Sequence, residues 1–332
     1  MTSPIPLTRR ISIPPDARGL SLAGYLSVRF TYFDSASWTR EIEEGRVLIN
    51  GRPADPLSLL KPADQLQWTP LPYEEPPVNA NWKTLHETDD FIWIEKPAGL
   101  PVHPSGIYRE NTLWNFLGMA ETGYSFINRL DRETSGVVVA AKGSRQAALA
   151  SRWLQEGLIR KEYRVLVHGA APEAFEARGY LKPDSASPVR KKSLFVRDDA
   201  EPRAQPESGE RQEPPIPASS RCETAFERIK KFTLPDGSRG SLLAAFPRTG
   251  KTHQIRATLQ GSGFPVVGDK LYGLDPEFFI RFIEGSLTEK DHERLILPNQ
   301  ALHCMRMILP IKDVDIAKTV SGIPESWDEV LV

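Results

Sequence analysis

The run Gly136-Val137-Val138-Val139-Ala140-Ala141 narrows the folds open to this chain more than any other stretch. Three consecutive β-branched side chains are stiff at χ1 and favour an extended backbone, and six apolar residues in a row leave no polar face to turn to water. The run predicts a strand buried within a sheet. Directly before it, "NRLDRE" gathers Asn128, Arg129, Asp131, Arg132 and Glu133 into six positions, so concentrated charge sits at the mouth of a buried strand. Asp131, between two arginines, has two readings here: a turn acid accepting from the Thr134 or Ser135 N–H groups, or a carboxylate held for chemistry.

Other short strand patterns, "DFIWIEKP" and "YRVLVHG", alternate with helical ones such as "SRQAALASRWLQEG", which predicts a helix capped by Ser144 and ended by Gly157. "SLLAAFPRTG" reads as a strand leading into a helix that starts at Thr252 and is broken by Gly261 and Gly263. The pattern predicts an α+β fold: a mixed, mainly antiparallel β-sheet with flanking helices. A smaller α/β unit precedes it. Leu22, Leu26 and Phe30 have helical spacing, a second helix opens on Asp34 or Ser35 and closes at Gly45, and "RVLINGRPADP" gives a strand turning at Asn50-Gly51 before "LLKPADQLQW". The proline-rich "TPLPYEEPPVNANW" predicts a linker. The expected boundaries are a module over 18–70, a linker over 71–82 and a large domain over 83–332.

At 332 residues with 40% hydrophobic content, the chain can bury such a core. No apolar run reaches the roughly 18 residues of a membrane span, and the first residues lack the apolar centre of a signal peptide, which predicts a cytoplasmic protein with no membrane partner. Cys222 and Cys304 lack the spacing of a disulfide framework or zinc knuckle and read as packing residues. The net charge of -1 argues weakly against a polyanionic partner. Residues 198–220, however, hold six acids against two arginines, net -4, which leaves the rest of the chain at +3. With five prolines and Ile216 as its one large apolar residue, this segment is expected to be a disordered acidic insertion.

"RTGKTHQIR", residues 248–256, ends like a phosphate-cradling loop, but Ala245 stands where that loop needs glycine and "LLAAF" before it is strand. Nucleotide hydrolysis is therefore not expected. What remains is a helix N-terminus carrying Lys251, His253 and Arg256, suited to a phosphate backbone. The six histidines show no paired ligand spacing and Ser135 lacks a Gly-x-Ser-x-Gly elbow, so neither a metal site nor a Ser-His-Asp triad is predicted.

In order along the chain, "EKPAGLPVHPSG" (95–106), "INRLDRETSGVVVAAK" (127–142), "IRKEYRVLVHG" (159–169), "RTGKTHQIRATLQGSGFPVVGDKLYG" (248–273) and "LHCMRMILP" (302–310) resemble the successive motifs of the RluA family of RNA pseudouridine synthases. Residues 18–70, through their leucine run, "IEEGRVLINGR" and "PADQL", resemble the small RNA-binding module of the ribosomal protein S4 type; an ordinary small α/β domain is the plainer reading. The resemblance implies an isomerase that breaks the N1–C1′ bond of a uridine, rotates the uracil and rejoins it through C5, with no cofactor and no metal. It implies Asp131 as the catalytic aspartate, Tyr163 as the active-site tyrosine and Arg256 as the arginine paired with Asp131. Structured RNA is the implied partner, ribosomal RNA ahead of transfer RNA, met by Arg129, Lys161, Lys251 and His253 and, in the small module, Arg46. A monomer is expected. A catalytically silent RNA-binding or ribosome-assembly protein on the same scaffold is the alternative of a different class.

The chemistry asks for these residue types on its own terms. A carboxylate beneath the ribose can attack C1′ or remove the C2′ proton, and sequence leaves both routes open. It must stay ionised in a site closed by the base, which a cation such as Arg256 secures. Tyr163 can stack on the base; it can relay the C5 proton as an anion only if Lys161 or Arg256 favours that anion or a water intervenes. Arg129 is placed to fill the gap left by a flipped nucleotide. Asp269 and Tyr272 read as turn and packing residues, "DPEFFIRFIEG" as core, His103 and His253 as structural or RNA-adjacent, and Arg132 with Glu133 as solvated turn. Three positions depart from the family pattern: Asn128 where His is common, Lys251 in place of Arg, and Thr258 in place of His. Asn128 is expected to orient rather than to transfer protons.

Overall fold

A computed structural model describes residues 8–30, 33–71, 74–189, 191–198, 217–312 and 315–331, and the chain divides into two compact units between Glu75 and Pro76. The small unit holds β1 (Arg9–Ser12), helices Leu22–Arg29 and Ser35–Glu43, β2 (Val47–Ile49), β3 (Arg52–Pro53) and β4 (Gln65–Trp68). Its strands pair antiparallel in the order β1-β4-β2-β3. Local chemistry sets the boundaries. The Ser21 hydroxyl accepts from Gly24 N–H at 3.3 Å and the Asp34 carboxylate from Ser37 N–H at 2.7 Å, each capping its helix. Asn50 and Gly51, both at positive φ (52° and 77°), turn β2 into β3. Leu22, Leu26, Ile42, Val47 and Leu66 close the core around Trp38 and Trp68, whose rings meet edge-on at 5.0 Å.

The large unit contains β5 (Lys83–Glu87), β6 (Phe91–Lys96), β7 (Tyr124–Phe126), β8 (Ser135–Lys142), β9 (Arg160–His168), β10 (Ala174–Pro183), β11 (Ser193–Arg197), β12 (Arg221–Thr233), β13 (Arg239–Pro247) and β14 (Leu302–Ile308). They form one sheet in the order β11-β10-β12-β13-β9-β14-β8-β6-β5, with β7 also on β8. Every pairing is antiparallel except β14 with β8, so the α+β, mainly antiparallel expectation holds. The valine run lies on β8, which is buried from Ser135 to Ala141 and packed between β6 and β14. Helix Ser144–Gln155 packs against β8; Gly143 occupies its cap position and Ser144 is its first residue, one place earlier than the sequence suggested. The helix expected from Thr252 begins at Gln254, because His253 takes the left-handed conformation (φ 58°) and cannot continue it backwards. Among the described residues no helix is long and apolar enough to cross a membrane.

Most of the acidic insertion, 199–216, lies outside the described residues. At its two ends, Arg197 of β11 and Cys222 of β12 flank Gly179 of β10, and Arg221 pairs with Asp198 at 2.9 Å. Cys222 and Cys304 are both buried.

One glycine is dictated by the sheet. Gly136 has φ +108°, and a Cβ there would collide with the backbone of Cys304 where β8 and β14 run parallel. Gly136→Ala is expected to lower the stability of the large unit by about 2–3 kcal/mol, because it adds both strain and overpacking, and urea unfolding at neutral pH checks it.

Candidate active site

The charged segment before β8 is held by backbone pairing that side chains complete. Ile127 N–H donates to Val139 O at 2.8 Å, and Asn128 continues the ladder with its amide, Nδ2 donating to Val137 O at 3.2 Å and Oδ1 accepting from Val139 N–H at 2.9 Å. Asn128 thus orients the segment through a donor and an acceptor together. Asp131 begins a tight turn in which its carbonyl accepts from Thr134 N–H at 3.1 Å. From beneath, Lys96 at the end of β6 is wholly buried and donates Nζ to the carbonyls of Pro97 and Leu100 at 2.8 Å and of Arg132 at 3.2 Å. Burial pushes its ammonium down to about 7, while the charge of Asp131 works the other way.

Arg256, two residues into the Gln254–Gly261 helix, points its guanidinium at this turn. Nη1 donates to Asp131 Oδ2 at 2.7 Å, and Nε and Nη2 grip Asp269 in a bidentate fork at 2.6 and 2.8 Å. Asp269 also accepts from Leu271 and Tyr272 N–H at 2.9 and 2.8 Å. Gln300, in the segment entering β14, reaches Asp131 Oδ2 at 3.4 Å and Thr134 Oγ1 at 2.5 Å. Burial works to raise the Asp131 carboxyl, but Arg256, His253 and Gln300 together more than offset it, and its pKa lies below the usual carboxylate range. The side chain is nonetheless 29% exposed, so the anion is held and reachable at once. Its other oxygen, Oδ1, faces His253 Nε2 across 3.8 Å.

Tyr163 lies on β9 opposite Cys304 and is 8% exposed. Burial, then the Cys304 sulfur and the charge of Asp131, lift its phenol well above the usual 10. The condition that Lys161 or Arg256 favour the Tyr163 anion is therefore not met: Lys161 is itself depressed by burial, its Nζ turned to Thr249 O at 3.4 Å, and the phenol stays neutral.

Of the residues picked from sequence, Asp131, Arg256 and His253 come together, with Tyr163 within electrostatic reach. Lys251 is exposed, its backbone N–H donating to Gln254 Oε1 at 3.0 Å, and Arg129 is exposed in the segment before Asp131. Arg46 belongs to the small unit and is engaged within it. Its Nε donates to Glu41 at 2.8 Å and it also pairs with Glu44, while Glu41 accepts from Trp68 Nε1 at 2.8 Å; the cation knits its own unit together. Arg132 and Glu133 are likewise more than solvated turn. Arg132 donates to Tyr108 OH at 2.7 Å and lies over the Phe282 ring at 5.2 Å, and Glu133 accepts from buried Lys270 at 3.0 Å. Thr258 is buried, its hydroxyl bonded back to Gln254 O and Ile255 O. Lys96 and Gln300 escaped the sequence reading, and Asp269 was read only as a turn residue. The signal for Asp269 was its place 13 residues after Arg256 inside one of the quoted motifs; nothing local marked Gln300.

A model of the RNA pseudouridylate synthase family matches residues 90–261, which carry Asp131, Tyr163 and Arg256. The chain belongs to the RNA pseudouridylate synthase family. Among relatives within and around that family, pseudouridylate synthase RPUSD2 of Mus musculus is 30% identical over 87% of this chain and 49% of its own length. The mitochondrial tRNA pseudouridine(32) synthase of Saccharomyces cerevisiae is 31% identical over 73% of this chain and 48% of its own. The chain thus spans about half the length of these relatives. Of solved structures, human RNA Pseudouridylate Synthase Domain Containing 4 superposes with a TM-score of 0.53 at 21% identity, covering 74% of this chain and 91% of that one, a likeness of fold.

Two outcomes follow for this member of the family. Asn128→Ala removes both bonds to β8 and is expected to cost about 2 kcal/mol in urea unfolding, whereas Asn128→His, able to keep one donor and one acceptor, stays within about 1 kcal/mol of the parent. An unfolded lysine keeps its proton up to about 10.5, whereas Lys96 in the fold releases it near 7, so between those values the unfolded state binds more protons and stability rises with pH. Relative to Lys96→Met, the parent protein should gain up to about 1.4 kcal/mol per pH unit from 7 to 10.

Proposed function

We propose that this protein is an RNA pseudouridine synthase in which Asp131 acts on the ribose of a uridine flipped out of structured RNA. One observation carries the reading: a partly exposed aspartate whose Oδ2 is pinned by a buried arginine while Oδ1 is left unbonded. Ionised and fixed, that oxygen can attack C1′ or take the C2′ proton as the N1–C1′ bond breaks and the uracil leaves as an anion. After rotation, C5 bonds to C1′, loses its proton, and N1 gains one, so the reaction needs no cofactor. Tyr163 contributes a neutral aromatic ring against the base, and Arg129, exposed beside the aspartate, fills the vacated stack.

The small unit supports a ribosomal protein S4-type RNA-binding module through its order of two capped helices, a tight hairpin and a strand. With Arg46 engaged internally, the exposed Arg18, Arg29, Arg40, Arg52 and Lys61 are the cations it offers to phosphate. That module favours ribosomal RNA as the substrate. Transfer RNA is the second reading, favoured by the name of the yeast relative.

Tritium release from RNA labelled at uridine C5 tests the proposal. Wild type is expected to release tritium and Asp131→Asn to lose about 10³-fold in rate, roughly 4 kcal/mol of barrier. Release by both proteins, or by neither on total ribosomal and transfer RNA, would overturn it, and mapping the changed uridines separates the two substrates.

A further inference from the structure

His253 is held in a way that its place at a helix start does not require. It is the cap residue of the Gln254–Gly261 helix yet makes no capping bond, and it sits at φ 58°, a conformation that costs a non-glycine residue energy. The result is an imidazole wedged between two groups. Nδ1 lies 3.1 Å from the phenol oxygen of Tyr272, and Nε2 lies 3.8 Å from Asp131 Oδ1, the oxygen that Arg256 does not hold.

Donor and acceptor counting fixes the proton. The Tyr272 oxygen accepts from Ser193 N–H at 2.9 Å, and a backbone amide can only donate. The buried hydroxyl hydrogen of Tyr272 finds no acceptor in that amide, and directing it to His253 Nδ1, 3.1 Å away, is the arrangement that leaves it paired, with Nδ1 accepting. Tyr272 is wholly buried with its phenol raised by burial, so it remains a donor. A neutral imidazole that accepts at Nδ1 carries its hydrogen on Nε2, facing Asp131. The groups around the ring are Asp131, Asp269, Arg256, Lys191 and Tyr272, and burial and then Arg256 keep it below its usual 6.5. Protonation at Nδ1 would also force the Tyr272 hydrogen away from its acceptor.

We propose that His253 is a positioning residue of this site: Tyr272, oriented by the Ser193 amide, locks the imidazole with its hydrogen on Nε2, so that it meets Asp131 Oδ1 and fixes how that oxygen faces the ribose. The proposal rests on Asp131 being the reacting carboxylate. At 3.8 Å the contact is longer than a hydrogen bond, as catalytic contacts often are before substrate closes the site. Two oxygens of one carboxylate then have two keepers, Arg256 for Oδ2 and His253 for Oδ1. The restraint begins at Ser193, the first residue of β11, the strand that leads into the acidic insertion.

The test combines nitrogen NMR of labelled histidine with tritium-release kinetics on the full chain. In wild type the His253 ring is expected as the Nε2–H tautomer, and Tyr272→Phe is expected to release it to a mixture. That variant should lose about five- to tenfold in kcat, the worth of one hydrogen bond, with KM within about twofold and the acid limb of the pH profile moved upward. His253→Ala should match it, and His253→Gln, whose amide offers an N–H at similar reach, should recover most of the loss. An Nδ1–H tautomer in wild type, a KM-only effect, or an unchanged kcat and pH profile in Tyr272→Phe would overturn the proposal. A carbon NMR shift of the Asp131 carboxyl on His253→Ala reports the contact without turnover. If that shift appears while wild type releases no tritium, the reading of the activity fails and the contact stands; if it is absent, the positioning role fails.

Discussion

The structure turns on one buried cation between two carboxylates. Arg256 is 6% exposed, and taking a guanidinium out of water is tolerable only when its donors are met. Asp269, deeper still at 1% exposed, takes two of them and is itself steadied by two backbone N–H groups of the 269–272 turn. This leaves Nη1 for Asp131 in a direction set by the Asp269 fork, so the aspartate is oriented by a group that is already immobile. Lysine could supply the charge but not the fork, and the direction would be lost. Two carboxylates and one guanidinium still leave the trio negative, and the charge of Asp131 favours the protonated form of the buried Lys96, although burial still brings its pKa down to about 7.

Sheet topology explains how distant segments meet at this point. β8 and β14 form the parallel pair of a sheet otherwise antiparallel, so both strands begin at the same end. The segments entering them are therefore neighbours, which puts Gln300 beside Asp131 and Thr134 across 169 and 166 residues of chain. The close approach is permitted by the missing side chain at Gly136. β9, on the far side of β14, then delivers Tyr163 opposite Cys304 and completes the wall.

What could be read from sequence divides along the same physical line. The valine run, the helix cap at Asp34 and the Asn50-Gly51 turn rest on local backbone chemistry, and each lies where its residues indicated. The helix at 254 was placed two residues early because no local signal reveals that His253 adopts a left-handed conformation. Asp131 and Arg256 were legible through motif spacing. Asp269 was seen but taken for a turn residue, which it also is; its second role depends on Arg256 facing it in three dimensions. Gln300 and Lys96 act only through groups far away in sequence, and the pairing of Arg46 with Glu41 and Glu44 forms across a helix end that residue type alone does not mark.

The arginines differ in what they are paired with. Arg46, Arg132 and Arg256 all look like phosphate ligands by type, yet each has a carboxylate within salt-bridge distance and serves the fold. Among the described residues Arg129 and Lys251 are exposed and have no such partner. A cation already paired in a low-dielectric setting gains little from a phosphate, since it must give up one anion to meet another, whereas an unpaired surface cation gains the full release of counterions. RNA contact in the proposed reaction is therefore assigned by what each cation lacks. Among the large-unit cations that meet that criterion, Arg129 and Lys251 lie in the two segments that also carry the site, the 127–131 approach to β8 and the 248–253 turn.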